Sequence, residues 1–235
     1  MPQASASVPV NRLAATMGFW SSLSAAVCAV LFAVLALLFA PSGWSGMAAY
    51  AGEYSFLQMA NMVPVIFMAL AVVVVVSCLH YLTPESRRPA SLAAVAFTAA
   101  YAVIICVNYY LQLFVVRLNL LSGEWEGLSL LAMPNLHSAF FALEAIGYAF
   151  MSLATLLIIP LIEGGTLARW IRALLLINAG LGLFAAIAAP FDQPALIFAG
   201  LGLWSLVFPA AMILLAVRFR ALGAAPEQAG EAAGA

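Results

Sequence analysis

The sequence predicts an all-α integral membrane protein, a single bundle of six transmembrane helices with both termini in the cytoplasm. Three observations carry that prediction. The chain is 66% hydrophobic and only 7% charged, whereas a globular domain, whose surface must face water, is about 25% charged. Its apolar residues gather into six runs of roughly 22 to 27 positions, long enough to cross a hydrocarbon core of about 30 Å at about 1.5 Å per helical residue. The arginines, finally, fall almost wholly on one side when the loops are counted alternately. The runs lack the period-two alternation of a barrel strand, and lipid tolerates no unpaired backbone, so each run is read as a helix.

A polar leader, residues 1–17, carries Arg12. The first run, Phe19 to Ala40, is too long for a cleaved signal peptide, whose apolar region is about 7 to 15 residues, and is read as a retained helix. The others run approximately over 57–82, 90–116, 137–161, 169–190 and 194–217. Arg12, Arg87, Arg88, Arg169, Arg172, Arg218 and Arg220 share one side and Arg117 lies alone on the other, which places the termini inside a cell membrane. Arg in place of Lys, with abundant Ala, suggests a bacterial source. In the loop between the third and fourth helices, Leu121, Trp125, Leu128 and Ala132 recur at helical spacing, as in a short interfacial helix. The Ala-, Gly- and Glu-rich tail, 221–235, is expected to be disordered. No sequence repeat supports an inverted-repeat transporter. The similar stretches Ala179–Phe184 and Ala199–Trp204 are read as small-residue contacts that let the last two helices approach closely.

Composition removes several functions. A formal net charge of −1 leaves no basic face for nucleic acid. Cys28, Cys78 and Cys106 all lie in apolar runs, where Cys acts as a small hydrophobe, so neither a disulfide framework nor a metal site is indicated. His80 and His137 are a membrane thickness apart and cannot share a haem iron, and no cofactor is expected. The sequence has no phosphate-binding glycine loop, HExxH pair or GxSxG elbow.

The chemistry is expected around Glu144. It lies roughly 10 Å below the outer end of the fourth helix, at a depth where an ionisable side chain costs a few kcal/mol and must face protein or water. Spacings of three and four align His137, Phe141, Glu144, Tyr148, Met151 and Thr155 on one stripe. Gln58 and Asn61 in the second helix, and Tyr101, Asn108 and Gln112 in the third, lie at comparable depth, and Arg117 ends the third helix. Packing of consecutive helices then predicts an outward-facing pocket among helices two, three and four, with Pro64 opening the second locally.

The ligand-binding set is therefore Glu144, Tyr148, Asn108, Gln112, Asn61, Gln58, Arg117 and His137, and the expected role is binding or transport of a small amphipathic or lipid-like molecule. A membrane-embedded acid–base enzyme acting on an isoprenoid or sterol-like substrate, through Glu144 with His137 or Tyr148, is one alternative. An accessory or scaffold subunit, in which Glu144 only ties helices together, is the other. Partners are the lipid bilayer, the ligand, and, as an open question, a second copy or another subunit.

Overall fold

The computed structural model describes residues 11–224 apart from residues 40, 42 and 192. The described residues are helical, without strands, and six helices are long and apolar enough to cross a membrane. The spans are α1 (Arg12–Phe39), α3 (Met62–Tyr81) preceded by a 3-10 turn (Phe56–Met59), α4 (Arg88–Leu111), α6 (Ala139–Ile158), α7 (Thr166–Ala188) and α8 (Pro194–Ala224). Two short helices join them: α2 (Met47–Glu53), and α5 (Arg117–Ser122), which continues α4 through a π turn at Gln112–Val116. The Val-rich interior of α3 is helical despite its β-branched residues, because a span with no water to bond its backbone must pair that backbone internally.

The spans form a closed ring in chain order: each packs on its sequence neighbour, and α8 returns to α1. Short connections dictate the order, since consecutive spans must be antiparallel neighbours. Small residues dictate the closure. On α1, Ala15, Gly18, Ser22, Ala25 and Ala29 repeat at spacings of three and four and are buried, the small-residue stripe that lets backbones approach in a membrane. A Cβ on Gly18 would stand 2.5 Å from the Phe219 ring of α8.

The helix ends differ from the sequence reading in instructive ways. α1 already begins at Arg12, inside the expected leader, and α8 continues to Ala224, into the expected tail; residues 1–10 and 225–235 lie outside the described residues. Arg117 does not end the third span, because no Pro or Gly interrupts the chain until Gly123, which terminates α5 in the left-handed conformation (φ 76°). The interfacial helix read over Leu121–Ala132 is replaced by a loop with a single 3-10 turn, Leu128–Leu130. Gly123 and Gly127, both left-handed, break the run, while Leu128 and Ala132 turn into the core. Pro64 opens nothing: it is the third residue of α3, within a first turn whose amides have no intrahelical partner in any case.

Ala179–Phe184 and Ala199–Trp204 do not provide the expected close contact between the last two spans. Cβ atoms on Gly180, Gly200 and Gly202 would meet nothing within 4 Å. Only Gly182 is in tight contact, and with α6: a Cβ there would collide with Ser152 Oγ.

Candidate functional site

Glu144 is the sixth residue of α6, which starts one residue after Ser138 in its N-cap position. The carboxyl group is held from behind by α4. Asn108, 1% exposed, donates from Nδ2 to Glu144 Oε1 (3.3 Å) and to the Phe140 carbonyl (3.1 Å). The Tyr109 hydroxyl hydrogen-bonds the same carboxyl group, and the Tyr109 ring packs edge-on against Phe140 at 5.3 Å. These partners are neutral, as suits a carboxyl group inside lipid, where a second ion would need desolvation of its own.

The other face of Glu144 opens on a cleft of about 100 Å³ between α6, α7 and α8, at the end of the bundle opposite the termini. From α6 come Phe141, Glu144 and Tyr148; α7 adds Gly182 and Ala185; α8 adds Gly200, Leu201 and Trp204. Among the described residues, Glu144 is the single carboxyl group in this apolar lining. Tyr148 sits between Tyr101 (ring centroids 5.7 Å) and Trp204 (5.5 Å), and Trp204 stacks on Phe208 at 4.9 Å. The buried Tyr101 and Tyr148 hydroxyls interact with each other, whereas the buried Trp204 Nε1–H and Ser152 Oγ have no hydrogen-bond partner among the described residues. Native interiors leave few such groups unpaired.

The structure thus brings three of the expected site residues together, Glu144, Asn108 and Tyr148, and moves the pocket. The expected position among the second, third and fourth spans is filled by Met62, Tyr101 and Ile105, each fully buried, and Gly147 lies so close to Ile105 that a Cβ would approach its Cδ1 to 3.0 Å. Gln112 is used elsewhere: its Nε2 donates to the Leu131 carbonyl (2.7 Å) and its Oε1 accepts from the Met133 amide (3.1 Å), tying the 123–138 loop over this end of the bundle. Asn61 is buried before α3 and does not line the cleft. Gln58 caps the preceding 3-10 turn, accepting from the Ser55 amide and donating to the Glu53 carbonyl, both at 3.2 Å.

Arg117 lies over the Phe56 ring at 5.6 Å and hydrogen-bonds Tyr54, well away from the cleft. Burial pushes the Tyr54 phenol up, and the Arg117 charge pulls it partly back. His137 is exposed in the turn before α6, its amide donating to Asn135 Oδ1 (3.0 Å), so it leaves the stripe that Glu144, Tyr148, Met151 and Thr155 continue. The helical register that predicted its place does not hold once Pro134–Ser138 turn under hydrogen bonds of Asn135. Asp192, the other acid near a helix end on this side, lies outside the described residues. Tyr109 and Gly200 were not expected at the site. Tyr109 follows Asn108 by about 100° around the helix, which hid their convergence, and Gly200 read as a packing residue.

At the termini end a much larger basin, about 1030 Å³, is lined by His80, Thr83, Glu85, Arg88 and Arg218. His80 Nδ1 is 2.7 Å from Ser91 Oγ, and the Ser91 hydroxyl donates to the Arg88 carbonyl at 3.1 Å. Arg87 pairs with Glu163 and donates to the Pro160 carbonyl (2.9 Å), and Arg218 donates to the Glu163 carbonyl (2.7 Å).

No protein-family model matches this chain, and no curated protein and no solved structure matches it.

Proposed function

We propose that the protein binds, and in doing so transports or presents, a small amphipathic or lipid-like molecule in the cleft between α6, α7 and α8, with the polar end of that molecule at Glu144. The observation that carries this reading is the Glu144 carboxyl group, braced by Asn108 and Tyr109 and alone of its kind among the described residues of an otherwise apolar cleft inside the membrane-spanning part of the bundle. A group costly to place there is expected to face protein or a functional cavity, and one polar anchor in an apolar pocket is how small apolar ligands are oriented. The arginine distribution supports a cell membrane with the termini end in the cytoplasm and the cleft facing outward.

Native mass spectrometry of the gently purified protein beside its Glu144→Gln and Gly200→Phe variants tests this. Gly200 lines the cleft and has free space where its Cβ would be, so a Phe ring there occupies the ligand's volume without displacing backbone. A co-purifying small molecule should be present in the wild type and lost from both folded variants. Equal retention by Gly200→Phe would place the ligand elsewhere and sink the reading.

The scaffold reading has one observation of its own: the Asn108–Glu144 hydrogen bond ties α4 to α6. It predicts that Glu144→Gln lowers thermal stability or assembly with no ligand mass lost.

A further inference from the structure

We infer that the ligand is a molecule dissolved in the bilayer rather than in water, that it enters sideways through the seam between α7 and α8, and that the cleft-side half of α8 is the gate; this rests on the binding reading above. The seam opens on the outer surface of the ring of spans. Gly182 and Trp204, at the bottom of the cleft, are buried, whereas Ala185, Ala186, Ala189, Ile197 and Gly200 of its lining are only half-buried. Beside these residues Phe184, Ile187 and Phe198 are exposed, which for apolar side chains of a spanning helix means contact with hydrocarbon. Among the described residues, the mouth so framed carries no polar side chain. Water gains no hydrogen bonds by entering such a passage, whereas an apolar chain loses nothing.

α8 is held differently on the two sides of Pro209, a proline inside the helix. Beyond it Ala211, Met212, Leu215, Ala216 and Phe219 are buried. Among residues 195–207 only Trp204 is buried, its ring against Tyr148 (centroids 5.5 Å) and Phe32 (6.5 Å). Gly200 and Gly202, in the same stretch, have open space where a Cβ would stand. Few buried contacts mark a segment that moves at low cost. The joint between the halves is short of backbone hydrogen bonds. Pro209 has no N–H to give to the Ser205 carbonyl, and the Ser205 hydroxyl bonds back to the Leu201 carbonyl at 2.9 Å, an arrangement that favours bending. Helices kink at such places. Ile197, Gly200, Leu201 and Trp204 form one wall of the cleft, so bending α8 at 205–209 widens the seam in front of Glu144.

Glu144 itself reports the route. The full-length protein in phosphatidylcholine nanodiscs is treated with dicyclohexylcarbodiimide, which partitions into lipid, or with a water-soluble carbodiimide bearing a permanent positive charge. Both reagents attach to carboxyl groups, and peptide mass mapping reads which ones are modified and how fast. The lipid-soluble reagent should modify Glu144, and the charged one should modify only exposed acids such as Glu124 and Glu126. Pro209→Ala restores an N–H for the Ser205 carbonyl, a bond that opening must then break. Labelling of Glu144 should slow roughly fivefold, the worth of one ordinary hydrogen bond. Ser205→Ala, which removes the back-bond to Leu201, should slow it in the same direction and serves should Pro209→Ala fail to fold.

Modification of Glu144 by the charged reagent at a rate matching that of the lipid-soluble one would show a mouth open to water and overturn the inference. So would the absence of labelling by either reagent while Glu124 and Glu126 react. Fast lipid-phase labelling that neither α8 variant slows would leave the sideways route and overturn the gate. None of these outcomes depends on a molecule co-purifying, so the binding reading stands or falls separately, on whether Gly200→Phe still retains one.

Discussion

The two ends of the bundle handle charge in opposite ways. At the termini end, charges are numerous and paired with each other or with carbonyls: Arg87 with Glu163, Arg218 with the Glu163 carbonyl, around a basin of about 1030 Å³. Near the other end, within the span and apart from the loop charges Glu53, Arg117, Glu124 and Glu126, the Glu144 carboxyl group is held by an amide and a phenol beside a cleft a tenth that size. The first arrangement suits a watery rim, where charge is inexpensive and ion pairs are worth little. The second suits the apolar part of the membrane, where neutral donors stabilise a carboxyl group without adding another charge to desolvate. The contrast teaches that the abundance of charge does not locate the site. The proposed site is marked instead by an isolated carboxyl group facing an apolar cleft.

The largest expected effect comes from closing the cleft's floor. Gly182→Leu drives a side chain into Ser152 Oγ and towards the Tyr148 carbonyl, so it should lower stability by about 1–3 kcal/mol or more, the range for overpacking; Gly180→Ala, with open space at its Cβ, should change the melting temperature little. Equal melting of the two variants would mean that α6 and α7 are not packed as described.

Next in size is Asn108→Leu. It strips a hydrogen bond from both Glu144 and the Phe140 carbonyl and should cost about 1–3 kcal/mol in detergent-based unfolding. Glu144→Gln, which keeps an acceptor for Asn108, should cost less than Asn108→Leu. A Glu144→Gln cost above that of Asn108→Leu would favour the scaffold reading over the binding one.

The smallest effect is expected at the rim. Arg87 and Glu163 have side chains 43% and 65% exposed, so Glu163→Gln should change stability by no more than about 1 kcal/mol, and by less as salt is raised. A larger, salt-insensitive loss would show that the termini end is as dry as the cleft and would erase the contrast.

Much of the site's identity was readable along the chain, and its partners were not. Glu144 and Tyr148 share a stripe by helical spacing alone, and Asn108 was expected near them because α4 and α6 are consecutive spans. His137 was misplaced because spacing is meaningful only within one unbroken helix, and the turns around Asn135 end that register before Ala139. Gln58 and Gln112, polar residues at the right depth, turned out to bond loop and turn backbone. Depth says how far along the membrane a side chain lies and nothing about its direction around the bundle.

The sequence by itself determined that this chain forms six apolar helices long enough to span a membrane and that a carboxyl group lies inside one of them. Length, charge and hydropathy are local properties, and lipid leaves the backbone no alternative to helix. Only the tertiary structure decided where that carboxyl group opens. The cleft exists because Gly182 brings α7 against α6 at Ser152 while Gly200 leaves space on α8 beside Glu144, and such contacts depend on how the helices are rotated against each other, which no single run of residues encodes.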